Sequence, residues 1–209
     1  MALSRPGSGW EPLCERALGA LGASVPDGFP HATSRLLDLV CEWNARIDLT
    51  AARSAEELVD LFIADAAVIA REASAPDGER WVDVGSGAGA PAIPLALLLP
   101  GLGLTLVEPR DKRVAFLRSA LGVLGRGDVG VRRGRSQDVP AGEHQVALSR
   151  ATLSPDEWLA EGARLATRAV WVLLARGEAP TLAGWRAEAD VTYAWPLTGA
   201  ERRALRYVK

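Results

Sequence analysis

Residues 81–91 read Trp81-Val-Asp-Val-Gly-Ser-Gly-Ala-Gly-Ala-Pro91, and the rest of the chain is best read outward from them. A short apolar run leads into glycines at 85, 87 and 89, and a helical stretch, Ala92–Leu99, follows. Glycines in that setting allow a tight turn and let a ligand approach the backbone, because no Cβ stands in the way. Glu108 closes the next apolar run, 23 residues after Gly85, where an acid accepts hydrogen bonds from ribose hydroxyls. With Ala90 at its sixth position the loop also fits a dinucleotide fingerprint, and a purely structural turn is a third reading.

Beyond the loop, short apolar runs alternate with helical segments. The runs Trp81–Val84, Leu104–Glu108, Val129–Arg133, Gln145–Ser149, Ala169–Leu174, Asp190–Trp195 and Arg202–Val208 give seven expected strands. Helices are expected at Ala92–Leu99, Asp111–Leu124, Pro155–Ala166 and Pro180–Glu188. Alternation of this kind implies a parallel α/β sheet with right-handed crossovers. Leu197-Thr-Gly-Ala200 is too short for a crossover, so the last two strands should pair antiparallel. The expected fold is therefore Rossmann-like, a seven-stranded, mostly parallel sheet with an antiparallel final strand.

Upstream, the chain reads as helical to about residue 75. Leu36, Leu37, Val40 and Trp43 have helical spacing within His31–Asp48. Ser54-Ala-Glu-Glu57 is a capping box opening a second helix, striped by Leu58, Leu61, Phe62, Val68 and Ile69. Asp65 falls in phase with that stripe, where a carboxylate needs a partner such as an arginine. The turn-rich segment Ser74-Ala-Pro-Asp-Gly78 divides the chain into a helical extension, residues 1–75, and an α/β domain, residues 76–209.

Asp83 two residues before the first glycine, the G-x-G-x-G alternation and the closing hairpin together favour S-adenosylmethionine over a dinucleotide. Methyl transfer from a sulfonium is an in-line displacement, so positioning and electrostatics carry it. The segment Leu148-Ser-Arg-Ala-Thr152 lacks the Asn/Asp-Pro-Pro-aromatic pattern of amino methylases. Cys14 and Cys41 lie in the helical extension, away from where a pyrimidine C5 nucleophile would stand. An acceptor with a free lone pair, such as a purine N7, or a substrate that loses its proton easily, fits the lack of an obvious base.

Composition excludes other classes. With 209 residues, 48% hydrophobic, 24% charged and a net charge of −2, the chain is neither disordered nor a general polyanion binder. Pro94 interrupts the longest apolar run, so no segment reaches the ~18 residues of a membrane helix. Met1-Ala-Leu-Ser-Arg-Pro-Gly7 does not read as a signal peptide. Two cysteines and two histidines give no metal-ligand cluster, and a reducing cytoplasm is the expected setting. Between residues 110 and 135, Arg110, Lys112, Arg113, Arg118, Arg126, Arg132, Arg133 and Arg135 stand against Asp111 and Asp128, a local charge of +6. Such a band can hold phosphates, or it can be a solvated helix face in an arginine-biased protein.

Several segments in order resemble the small-subunit ribosomal RNA methyltransferase G family. Trp43-Asn-Ala-Arg-Ile-Asp-Leu-Thr50 is similar to its W-N-x-x-x-N-L-T segment, and Asp83–Leu95 to its D-V-G-[TS]-G-x-G-L-P-G-I-P-L loop. Asp111–Leu117 resembles its K-R-x-x-F-L helix, Ser149-Arg-Ala151 its S-R-A motif, and Glu201–Lys209 its last strand. The resemblance implies a class I methyltransferase that uses S-adenosylmethionine to methylate a guanine N7 in small-subunit (16S) ribosomal RNA. On that basis Asp83, Gly85, Ser86, Gly87, Gly89, Ala90, Glu108, Ser136, Gln137 and Arg150 would form the donor site. Arg150 would also position the methyl-transfer cleft, unless it pairs with Asp65 or Asp83 to hold the sheet edge. Arg110, Lys112, Arg113, Arg132, Arg133, Arg135 and Arg176 would meet RNA, free or in the 30S subunit, with the protein a monomer.

The chain also departs from the family pattern. R-H-I-x-D-S becomes Leu61-Phe-Ile-Ala-Asp-Ala66, L-P-G becomes Ala90-Pro-Ala92, a common glutamate becomes Gln137, and L-K-G becomes Ala175-Arg176-Gly177. These changes motivate one rival, a donor- or RNA-binding protein without turnover; the others are a small-molecule methyltransferase on the same core and a nicotinamide oxidoreductase.

Overall fold

The computed structural model describes residue 3, residues 5–73 and residues 75–209. Met1, Ala2, Ser4 and Ser74, on which parts of the leader and linker readings fall, lie outside the described residues. Three helices come first: α1 (Glu11–Leu21), α2 (Phe29–Asn44) and α3 (Ala55–Glu72). The α/β part runs β1 (Arg80–Val84), α4 (Ala92–Leu98), β2 (Gly103–Glu108), α5 (Asp111–Val123) and β3 (Gly130–Arg133). A 3-10 turn at Ser136–Asp138 precedes β4 (His144–Ser149), α6 (Pro155–Leu165), β5 (Ala166–Leu174), β6 (Arg186–Ala194) and β7 (Glu201–Val208).

The strands form one sheet in the order β3-β2-β1-β4-β5-β7-β6. The pairs among β1 to β5 are parallel, and β7 runs antiparallel to both β5 and β6. Seven mostly parallel strands with an antiparallel last strand match the expectation.

Alternation along β1 sends Trp81 into the helix-covered core with Trp10, Phe62 and Phe116, while Val82 and Val84 pack with Trp158 and Leu159 of α6 on the other face. Both cores are built largely from valine, leucine and alanine, as expected of strands covered on two sides.

One expected element is corrected. Pro180–Glu188 is not a helix: Leu182 bridges to Trp185, Gly184 adopts φ +78°, and β6 begins at Arg186. The Tyr207 hydroxyl donates to the Pro180 carbonyl at 2.6 Å, which pins this segment as a loop over β7. α2 is also shorter than expected, because Asn44 Oδ1 accepts from the amides of Leu49 and Thr50, both at 3.0 Å, and turns the chain out of the helix. Ser54 caps α3 as its sequence predicts, accepting from the Glu57 amide at 3.1 Å. Glu57 reaches past it to the Arg53 amide at 2.8 Å, not to Ser54's own amide.

Two buried carboxylates fasten α3 to the β6–β7 hairpin. Asp60 accepts from the amides of Leu197 and Thr198 and from the Thr198 hydroxyl, the last at 2.8 Å. Burial pushes its carboxyl above the ordinary range, and these bonds oppose the rise. Asp65, 2% exposed, accepts from the Tyr193 hydroxyl at 2.7 Å and from Trp195 Nε1 at 3.1 Å. Its other oxygen faces Arg150 at 3.4 Å, so the arginine partner expected for Asp65 is Arg150.

Candidate active site

A cleft of about 640 Å³ opens at the carboxyl ends of β1, β2 and β4 and beside the turn after β3. Ligands of open α/β sheets bind at this end of the strands, where the order reverses. Its floor is the loop from β1 to α4. Gly85 has φ +72°, and a Cβ there would collide with the side chain of Thr152. Gly87 has φ +55°, and its face points into the cleft beside Arg113. Both conformations strain any residue with a side chain.

Glu108 ends β2 and is 2% exposed, yet its carboxylate borders the cleft. Its Oε2 accepts from the Gly87 amide and its Oε1 from the Arg110 amide, each at 2.9 Å. The acid therefore ties the glycine loop to the start of α5 and keeps its remaining lone pairs for a ligand. Asp83 lies beneath the loop and not on the wall. Burial pushes its carboxyl up to about 7, the Ser86 hydroxyl and then nearby Arg150 oppose this, and Glu108 adds to it. Its Oδ2 is one of the buried polar atoms without a hydrogen-bond partner among the described residues. Ser86 donates its hydroxyl to the Asp83 carbonyl at 3.0 Å.

At the far wall Ser136 and Gln137 sit on the 3-10 turn. On the near wall the chain leaves β4 through Arg150, Ala151, Thr152 and Leu153. Ala151 has φ +56°, a left-handed conformation otherwise adopted only by glycines among the described residues. The turn is held by Ser149, whose hydroxyl donates to the Val84 carbonyl at 2.8 Å and contacts the Thr152 hydroxyl. Arg150 Nη1 donates to the Leu61 carbonyl at 2.8 Å and faces Asp65. It both anchors α3 and borders the cleft.

Of the residues expected at the donor site, Gly85, Ser86, Gly87, Ala90, Glu108, Ser136, Gln137 and Arg150 line the cleft together, while Asp83 and Gly89 lie behind it. Gly89 is packed against Ile93 and Leu117. The expected RNA set divides further. Arg110, Arg113 and Arg135 line the cleft; Lys112 does not. Arg133 pairs with Asp111 at 2.8 Å and Arg132 with Glu143 at 3.6 Å. Arg176 borders a separate cavity of about 410 Å³ on the other side of Ala151–Leu153. The family departures divide in the same way: Leu61, Ala90 and Gln137 reach the cleft, whereas Phe62, Ala66 and Ala92 are core residues.

Sequence reasoning assigned no cleft role to Leu49, Thr50 and Ala51, which come from the α2–α3 loop and close one side. The signal was Asn44, a helix-ending side chain that fixes two amides of that wall, those of Leu49 and Thr50.

These walls suit an adenosyl group carrying an amino acid. The backbone floor admits close approach, the carboxylate at the end of β2 suits a diol, and cations border a slot of mixed apolar and hydroxyl-bearing side chains. The fold and cleft define a Rossmann-like, S-adenosylmethionine-dependent methyltransferase. A computed likeness in fold, with a TM-score of 0.53 at 18% identity over 72% of this chain and 91% of the other, links it to a SAM-dependent methyltransferase from Aquifex aeolicus. Another, with a TM-score of 0.56 at 13% identity over 78% of this chain and 65% of the other, links it to P. horikoshii TYW2 in complex with MeSAdo. The chain belongs to the rRNA small subunit methyltransferase G family, whose model matches residues 31–191. It is 31% identical to the ribosomal RNA small subunit methyltransferase G of Myxococcus xanthus over 203 residues, 91% of this chain and 93% of that one. It is 39% identical to the protein of the same description from Symbiobacterium thermophilum over 132 residues, 61% of this chain and 54% of that one.

Proposed function

We propose that this protein methylates a guanine N7 of 16S ribosomal RNA, on free RNA or on the small subunit, as a cytoplasmic monomer. The observation that carries the reading is the match to the family over residues 31–191 together with a cleft built from its own glycine loop and Glu108. No described helix is long and apolar enough to cross a membrane.

S-adenosylmethionine supplies an electrophilic methyl group when bound. The backbone of Gly85, Ser86, Gly87 and Ala90 forms its floor, and Asp83 and Gly89 shape that floor from below. Glu108 accepts from the ribose hydroxyls, and Ser136 and Gln137 stand at the adenine edge. Arg150 orients the transfer side of the cleft, held from behind by Asp65 and the Leu61 carbonyl. Among the described residues the only carboxylate lining the cleft is Glu108, already engaged by two amides, and no histidine or cysteine lines it. That suits guanine N7, whose lone pair is free at neutral pH, so the residues need only position the acceptor and exclude water. Arg110 and Arg135 at the rim take phosphates, with Lys112, Arg132, Arg133 and Arg176 further out.

The test is methyl transfer from labelled S-adenosylmethionine to small subunits from a strain lacking this gene, comparing the wild type with Gly87→Arg. Label on one guanine, lost in the variant while the fold persists, is the expected result. No label with intact donor binding would refute the substrate assignment and leave a small-molecule acceptor or binding without turnover.

A further inference from the structure

The arginines that line the cleft do not share one job. Arg150 is committed to the Leu61 carbonyl and Asp65. Arg110 and Arg135 are exposed and flank the wall formed by Glu108 and the 3-10 turn. Arg113 differs from all three. It is half-buried on the first turn of α5, one guanidinium nitrogen donates to the Asp48 carbonyl at 2.8 Å, and the other lies 3.8 Å from where a Cβ on Gly87 would stand. The guanidinium is thus wedged between the glycine loop and the α2–α3 loop whose Leu49, Thr50 and Ala51 close the cleft.

A donor whose ribose is held at Glu108 and whose adenine lies toward Ser136 and Gln137 must extend its amino-acid end over Gly85 and Gly87. That end carries a carboxylate, which needs a cation when taken out of water. We propose that Arg113, grouped by sequence with the RNA-facing arginines, binds the donor's carboxylate through the nitrogen that faces Gly87. Its other nitrogen latches the α2–α3 loop down as the cleft wall. Donor binding and the seating of this loop are then one event, since the same guanidinium serves both. A lysine, with a single point of charge, could not span the two partners. The inference rests on the donor assignment and not on the identity of the acceptor.

Titration calorimetry with S-adenosylmethionine and with 5′-methylthioadenosine, which keeps the adenosine and thioether but lacks the amino-acid end, tests it. For Arg113→Ala the affinity for S-adenosylmethionine should fall about tenfold or more, as expected for a lost charge-assisted hydrogen bond, while 5′-methylthioadenosine changes less than about threefold. Arg113→Lys should recover part of the loss. Amide hydrogen exchange over residues 45–53 should slow when S-adenosylmethionine binds the wild type, and not in Arg113→Ala. Equal weakening of both ligands would overturn the proposal and leave Arg113 a loop latch alone. Unchanged binding of both, with an RNA salt dependence lowered by about one phosphate, would overturn it in favour of an RNA contact. A wild type that binds neither ligand would overturn the donor assignment itself, and an unaltered thermal midpoint of Arg113→Ala checks that the fold is retained.

Discussion

Asp83 offers a quantitative test of how the glycine loop is built. Its carboxyl, 2% exposed beneath the loop, is lifted from 3.8 to about 7 by burial. Below pH 3.8 the group is protonated folded or unfolded and has no effect on stability. Between 3.8 and about 7 the unfolded chain is ionised and the folded one is not, so folding takes up a proton and stability falls as pH rises. Above 7 the penalty levels off at about 4 kcal/mol, from ~1.4 kcal/mol for each tenfold change in the equilibrium. Asp83→Asn removes this dependence and adds a constant offset of about 1–3 kcal/mol from its buried amide donor. Urea unfolding of both proteins from pH 4 to 8.5 isolates the pH-dependent part. The stability of Asp83→Asn relative to wild type should climb by roughly 3–4 kcal/mol across that range at constant m-value. A flat difference would show that Asp83 is ionised in the folded state throughout this range, and the account of a carboxyl lifted to about 7 by burial would fail.

Asp65→Ala takes the ion-pair partner from Arg150 and removes the acceptor of Tyr193 and Trp195, so it should destabilise the protein by about 3–5 kcal/mol in urea. An effect below ~1 kcal/mol would remove Asp65 as the fastener of α3. His144 is buried at the start of β4 and its pKa is lowered, chiefly by desolvation. The unfolded chain therefore binds more protons as pH falls below 6.5, and stability declines there. His144→Gln should flatten the stability profile between pH 5 and 6.5, and an unchanged slope would refute this.

The parallel strands β1, β2, β4 and β5 were legible because each is a short, largely buried apolar run, whereas the edge strand β3, Gly-Val-Arg-Arg, is mostly exposed and was placed by the alternation around it. The donor floor was legible for a related reason: a Cβ at Gly85 would collide with Thr152, and Gly87 holds a left-handed backbone that strains residues with side chains. What escaped depends on partners far along the chain. Thr181, Leu182 and Ala183 suit a helix locally, but Gly184 and the bond from Tyr207 to Pro180 make a loop. Asp65 shows as an acid in an apolar stripe, and nothing near it announces Tyr193 and Trp195, about 130 residues away. The charge count grouped Arg113 with its neighbours, whereas its bond to Asp48 depends on how α2 ends.

The strand order β5-β7-β6 has a consequence for how the molecule assembles as it is made. β6 is made before β7, yet among the described residues β7 is its one sheet neighbour, so β6 cannot join the sheet until β7 is in place. Asp60 and Asp65, synthesised much earlier on α3, wait as well, hydrated and charged, because their donors at Tyr193, Trp195, Leu197 and Thr198 belong to that same hairpin. Arrival of β7 closes the sheet and brings both acids to their partners together. α3 is thus locked in place by residues made about 130 positions later, and a nascent chain that stops short of the hairpin would leave both acids without their donors.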